Sequence, residues 1–150
     1  VQAILSTLSR ARELTARQWG VLLRASFWLL AADLGLRLFG LPRTRALLAS
    51  RRTAGPAAPL CESEIVRLVD RAARRQPGRA TCLRRTLVLQ RLLAQEGIAT
   101  EMRIGVRKEN GGLAAHAWLE RHGRPLGEPA FIEEKFATLR DARELRQAST

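Results

Sequence analysis

Tyrosine is absent from this 150-residue chain, and lysine and cysteine occur twice each. Two cysteines cannot build the multi-bridge framework that holds small secreted domains together, so a reducing, cytoplasmic setting is the expectation. Aromatic residues make up 5% of the chain, and no basic–aromatic interleaving of the kind that stacks bases is visible. Zinc-finger spacing of Cys and His is missing too. The longest apolar stretch, "VLLRASFWLLAADLGLRLFG" (Val21–Gly40), is interrupted by Arg24, Asp33 and Arg37. Those charges argue against a membrane span, and the layout is not that of a secretory signal. A helix lying on a membrane surface stays open there, because the stretch is apolar and its neighbours are basic.

What is present is a core and a strong positive charge. Hydrophobic residues are 46% of the chain and the net charge is +12, enough apolar content for a folded domain. Nine arginines face only Glu13 and Asp33 up to residue 60, and seventeen basic face twelve acidic side chains after it. Such a balance invites a nucleic-acid reading. A composition-driven arginine bias on a solvated surface accounts for it as well.

Apolar periodicity gives the elements. Residues 3–18 form an amphipathic pattern with Ile4, Leu8 and Ala11 on one face. Residues 19–39 form a second helix, with Asp33 and Arg37 spaced to pair and with Gly40 and Pro42 as its stop. "RTRALLAS" makes a short third helix. "RRTAGPAAP" (Arg51–Pro59) is a linker by composition. It divides a helical N-terminal extension (1–60) from the remainder (61–150). Glu62–Arg75 repeats Ile65, Leu68, Val69 and Ala72 on one face. From Cys82 the next helix gathers Cys82, Thr86, Leu89 and Leu93 on one side, with Arg84, Arg91 and Gln95 opposite, and Gly97 ends it. "TEMRIGVR" (Thr100–Arg107) alternates as a strand, "LAAHAWLER" (Leu113–Arg121) is a second, and a third lies near Arg124–Gly127. The C-terminal part is mixed, with "RDARELRQ" helical.

Cys82 raises the functional question. A helix N-terminus favours a thiolate through its unpaired N–H groups and dipole, and Thr81 is a suitable N-cap. The N–H of Cys82 is also a candidate oxyanion donor. Cys61 stands before a helix as well, so placement alone does not single out Cys82, and a plain buried thiol is the competing reading. His116 lies mid-strand among alanines, either as a core histidine or as a general base. His122 lies in the turn "RHGR" and reads as solvated. A three-residue turn Arg121–Gly123 would pair Glu120 with Arg124 and set Glu128 opposite His116, within reach to orient the imidazole. A two-residue turn would put Glu128 on the other face.

These residues carry a resemblance. "CLRRTLVLQRLLAQEGIATEMRIGVRK" followed by "AAHAWLERHGRPLGE" closely resembles the leader peptidase of lasso peptide biosynthesis, the transglutaminase-like cysteine protease half of the B protein. The similarity runs from about Glu62 to Leu139. It implies an α+β, papain- or transglutaminase-like fold, with Cys82 as nucleophile and His116 as base. The family's third residue is usually Asp, and this chain has Glu128. The resemblance also implies proteolytic removal of a leader from a precursor peptide without metal or organic cofactor. A separate leader-binding protein is then a partner, since no winged-helix pattern precedes Cys61, and a lasso cyclase would act next. The basic N-terminal part is a candidate docking surface for that protein or an acidic precursor. The competing readings are a non-catalytic scaffold of the same fold, a basic nucleic-acid-binding module, and an acyltransferase using the same cysteine.

Overall fold

A computed structural model describes residues 14–49, 60–76, 81–109, 112–129 and 132–138. Most of the first expected helix, the linker Arg51–Pro59 and the C-terminal "RDARELRQ" lie outside the described residues.

Helix α1 (Ala16–Leu48) starts on a capping box. Thr15 Oγ1 accepts from the Gln18 N–H at 3.2 Å, and Gln18 Oε1 accepts from the Thr15 N–H at 2.9 Å. The last residues of the first expected helix thus begin α1. At Gly40 the backbone leaves helical geometry (φ 71°, ψ 179°) and then resumes through Pro42 to Leu48. The expected stop is therefore a kink, and the short helix expected after it follows directly. Positive φ explains the glycine, since L side chains avoid that region.

Helix α2 (Glu62–Arg75) buries Ile65, Val66, Leu68, Val69 and Ala72, the face its periodicity marks. Helix α3 (Cys82–Gln95) buries Thr86 through Leu89 together with Leu92 and Leu93. Its polar stripe does not face solvent. Arg84 pairs with Asp33 at 2.7 Å, Arg24 donates to Gln95 at 3.3 Å, and the Arg91 guanidinium lies 3.8 Å above the Trp28 ring. Helix α3 is thus packed between α1 and the sheet. Val21, Ala25, Leu29 and Ala32 of α1 join Ile65, Val69, Leu89, Leu93 and Leu119 in one apolar cluster. The segments before residue 60 and after it share this core. Each buried Val, Leu or Ile side chain there contributes about 1.5–3 kcal/mol.

Strands β1 (Glu101–Glu109), β2 (Gly112–Arg121), β3 (Arg124–Leu126) and β4 (Ala137–Thr138) form an antiparallel sheet in the order β3-β2-β1-β4. A single helical turn, α4 (Ile132–Lys135), precedes β4. The α+β architecture is the expected one. Leu119 and Met102, paired across β1 and β2, meet the helical core. His116, Trp118 and Glu120 alternate onto the other face, where Trp118 clusters with Ile132 and Phe136. Gly105, opposite His116, leaves room for this cluster. A Cβ there would sit 2.7 Å from Phe136 Cβ and 2.9 Å from Trp118 Cη2.

Candidate active site

The hairpin between β2 and β3 corrects the expected register. Arg121 pairs with Arg124 and Glu120 with Pro125, so the loop is the two residues His122–Gly123 and not three. Both have positive φ, 51° and 71°, the signature of the turn whose twist matches a hairpin. Histidine is among the few non-glycine residues enriched there. Ladder pairing therefore does not set Glu128 opposite His116.

The two side chains meet by another route. Strand β3 ends at Leu126, and Gly127 turns the chain with φ 67°. A Cβ on Gly127 would lie 2.8 Å from both Arg85 Nη2 and Val66 Cγ1, so the turn is pressed against α2 and α3. Beyond it, Glu128 Oε1 comes within 3.3 Å of His116 Nε2. The distance suits a hydrogen bond but the direction does not. His116 Nε2 is buried with no hydrogen-bond partner among the described residues. A buried ring N–H wants an acceptor, and the Glu128 carboxylate stands beside it.

Helix α3 is fixed beside this pair. Thr86 Oγ1 donates to the carbonyl of Ala117, next to His116, at 2.9 Å in a buried contact. At the other end Gln90 Nε2 donates to the Thr100 carbonyl at 3.3 Å. Cys82 stands one turn before Thr86 on the same helix face, partly buried and with a free thiol. Thr81 Oγ1 accepts from the Arg84 N–H at 3.4 Å and the Thr81 carbonyl from the Arg85 N–H at 3.1 Å. The N–H groups of Cys82 and Leu83 then have no partner within the helix and are available to an oxyanion. The structure thus brings His116 and Glu128 together and holds Cys82 on the adjoining helix. No hydrogen bond joins the thiol to the imidazole among the described residues, a contact that commonly tightens only with substrate.

Sequence reasoning missed Arg85 and Asp70. Arg85 Nε donates to Asp70 Oδ1, and Arg85 Nη1 donates at 3.0 Å to the same Glu128 Oε1 that faces His116. Burial pulls the guanidinium down, but hydrogen bonds and charge from Asp70 and Glu128 outweigh it and raise it. The result is a chain of alternating charge, Asp70–Arg85–Glu128, ending on the imidazole. Its sequence signal was an arginine adjoining the apolar arc of a mostly buried helix, where a guanidinium needs carboxylate partners.

The Transglutaminase-like superfamily model matches residues 26–141, from within α1 through the sheet. The chain belongs to the transglutaminase-like superfamily, which includes cysteine peptidases and transferases. No curated protein and no solved structure matches it. Among the described residues no helix is long and apolar enough to cross a membrane.

Proposed function

We propose that this chain is a cysteine peptidase that cuts the leader from a ribosomally synthesised lasso precursor peptide, delivered by a separate leader-binding protein. The observation that carries the peptidase reading is the approach of Glu128 Oε1 to His116 Nε2, 3.3 Å apart, beside a helix that starts at Cys82. The lasso assignment rests on the sequence resemblance around Cys82 and His116.

In this reading the ring turns Nε2 to the adjacent carboxylate during the reaction, and Nδ1 serves the thiol. His116 takes the thiol proton and Cys82 sulfur attacks the carbonyl carbon at the leader–core junction. Helix N–H groups at Cys82 and Leu83 stabilise the oxyanion. The protonated imidazole, steadied by Glu128, returns the proton to the leaving amine, which becomes the N-terminus of the core peptide. Water, deprotonated by His116, then hydrolyses the thioester and frees the leader as an acid. A lasso cyclase would act on the released core.

The test is mass spectrometry of a precursor incubated with the leader-binding protein and either the parent chain or Cys82→Ala. Cleavage by the parent alone is expected. Equal cleavage by both would remove Cys82 from the mechanism.

A further inference from the structure

Helix α1 carries on its outer side a row that neither the core nor the candidate site uses. Trp19, Leu23, Phe27, Leu30, Leu34 and Leu38 are all exposed, from 39% at Trp19 to 63% at Leu23 and Leu38. Their spacing of four, four, three, four and four residues confines them to an arc of about 100°. The row runs about 29 Å at 1.5 Å per residue. On the inner side Val21, Ala25, Leu29 and Ala32 are buried, so the row points away from the protein. A contiguous apolar patch of this kind marks an interaction surface.

The charges at its borders identify the occupant. No charged side chain falls inside the arc except at its edge, where Arg37 stands, while Arg24 follows the opposite edge. Both are exposed. Beyond the kink Arg43 and Arg45 are exposed too. Asp33 is the one acidic residue of α1, and it is already engaged by Arg37 at 3.1 Å and Arg84 at 2.7 Å. A second copy of the chain would press arginine-bordered rows together with no free acid to answer them. A surface that is apolar in depth and anionic at both borders matches the row without any such conflict. We propose that α1 lies flat in the interface of an anionic lipid bilayer, with the six apolar side chains among the acyl chains and Arg24 and Arg37 among the headgroups. The proposal is independent of the peptidase reading.

The test is flotation of the full chain with vesicles of phosphatidylcholine containing phosphatidylglycerol, against vesicles of phosphatidylcholine alone. The chain should float with the anionic vesicles and at least tenfold less with the neutral ones. Replacing Leu23, Leu30 and Leu34 together by Glu should lower flotation at least tenfold. These side chains are exposed, so far-UV circular dichroism should match the parent. The single change Leu30→Gln gives a weaker loss in the same direction should the triple variant misfold. Trp19 fluorescence should shift to the blue on adding anionic vesicles, and Trp19→Phe should remove that shift. The proposal is overturned if the parent floats with neither vesicle. Flotation of the triple variant like the parent also overturns it, because the +12 charge alone would then be responsible. A dimer, or a complex with the leader-binding protein, that the triple variant abolishes while the parent does not float would assign the row to a protein and overturn it.

Discussion

Cys61 and Cys82 both stand at the start of a helix, and the two helix ends are built differently. Cys61 is itself the N-cap of α2. Its N–H donates to Glu64 Oε2 at 3.2 Å, its sulfur lies 3.2 Å from Ser63 Oγ, and the first turn carries Glu62 and Glu64. Cys82 leaves the capping to Thr81, its first turn holds no acidic residue, and Arg84 and Arg85 follow it. A negative sulfur at residue 61 would meet the Glu64 carboxylate, whereas residue 82 opens a helix whose first turn has no acidic side chain. Helix position is thus permissive. The residue that does the capping and the sign of the neighbouring charge make the distinction.

The largest expected effect breaks or upholds this comparison directly. Cys82→Ala should lower precursor cleavage by about 10³-fold or more, and Cys61→Ala should leave it within about twofold. With limiting iodoacetamide at pH 7, peptide mapping should find Cys82 modified first although Cys61 is the more exposed. Modification of Cys61 first would erase the distinction.

Next in size are the groups behind His116, which Cys61 lacks. Glu128→Gln keeps an acceptor near Nε2 but loses its charge. In the proposed mechanism the carboxylate takes up a charge-assisted hydrogen bond from the imidazolium, which contributes about 1.5–3 kcal/mol, so kcat should fall about 10–100-fold with KM little changed. Arg85→Met should cost stability instead, because it strands Asp70 and Glu128 with like charge. Its partners are half-buried, so the loss should be about 2 kcal/mol, between the surface and buried limits. Thermal unfolding measures it, and a change below about 0.5 kcal/mol would show that water satisfies both carboxylates.

The same network shows what was legible in the sequence. Periodicity located α2, α3, β1 and β2, because each buries one face and its apolar spacing records that face. Capping placed Cys82 at a helix start. The meeting of His116 and Glu128 was expected from a three-residue turn, and the structure reaches it through a two-residue turn followed by the left-handed bend at Gly127. Local pattern could not choose between those turns, since "RHGR" accommodates both. The stripe Arg84, Arg91 and Gln95 was recognisable as polar, but nothing within one helix tells whether polar groups meet water or another helix. Arg85 and Asp70 are fifteen residues apart on separate helices, a pairing that only packing determines.

Smaller still is the tie between α3 and the sheet. Thr86→Val is nearly isosteric and removes the hydroxyl that donates to the buried Ala117 carbonyl. Leaving that carbonyl unpaired should cost about 1–3 kcal/mol. Denaturant unfolding should show a lower midpoint with an unchanged slope. An unchanged midpoint would mean that the helix is held on the strand by apolar contact alone.

The smallest effect belongs to the other helix end and sharpens the comparison most. The thiol and N–H of Cys61, with Gln18 Nε2 donating at 3.0 Å, hold the Glu64 carboxyl below its ordinary value. A carboxyl lowered on folding stabilises the fold above the unfolded-state value, and the contribution disappears as pH falls through the folded-state value. The parent should therefore lose slightly more thermal stability between pH 7 and pH 3 than Glu64→Gln, which keeps the acceptor but cannot titrate. The same substitution removes a negative charge beside Cys61 sulfur. If the carboxylates are what restrain Cys61, Glu64→Gln should raise its alkylation rate at pH 7 and narrow its gap from Cys82. An unchanged rate would shift the cause of the difference to the neighbours of Cys82.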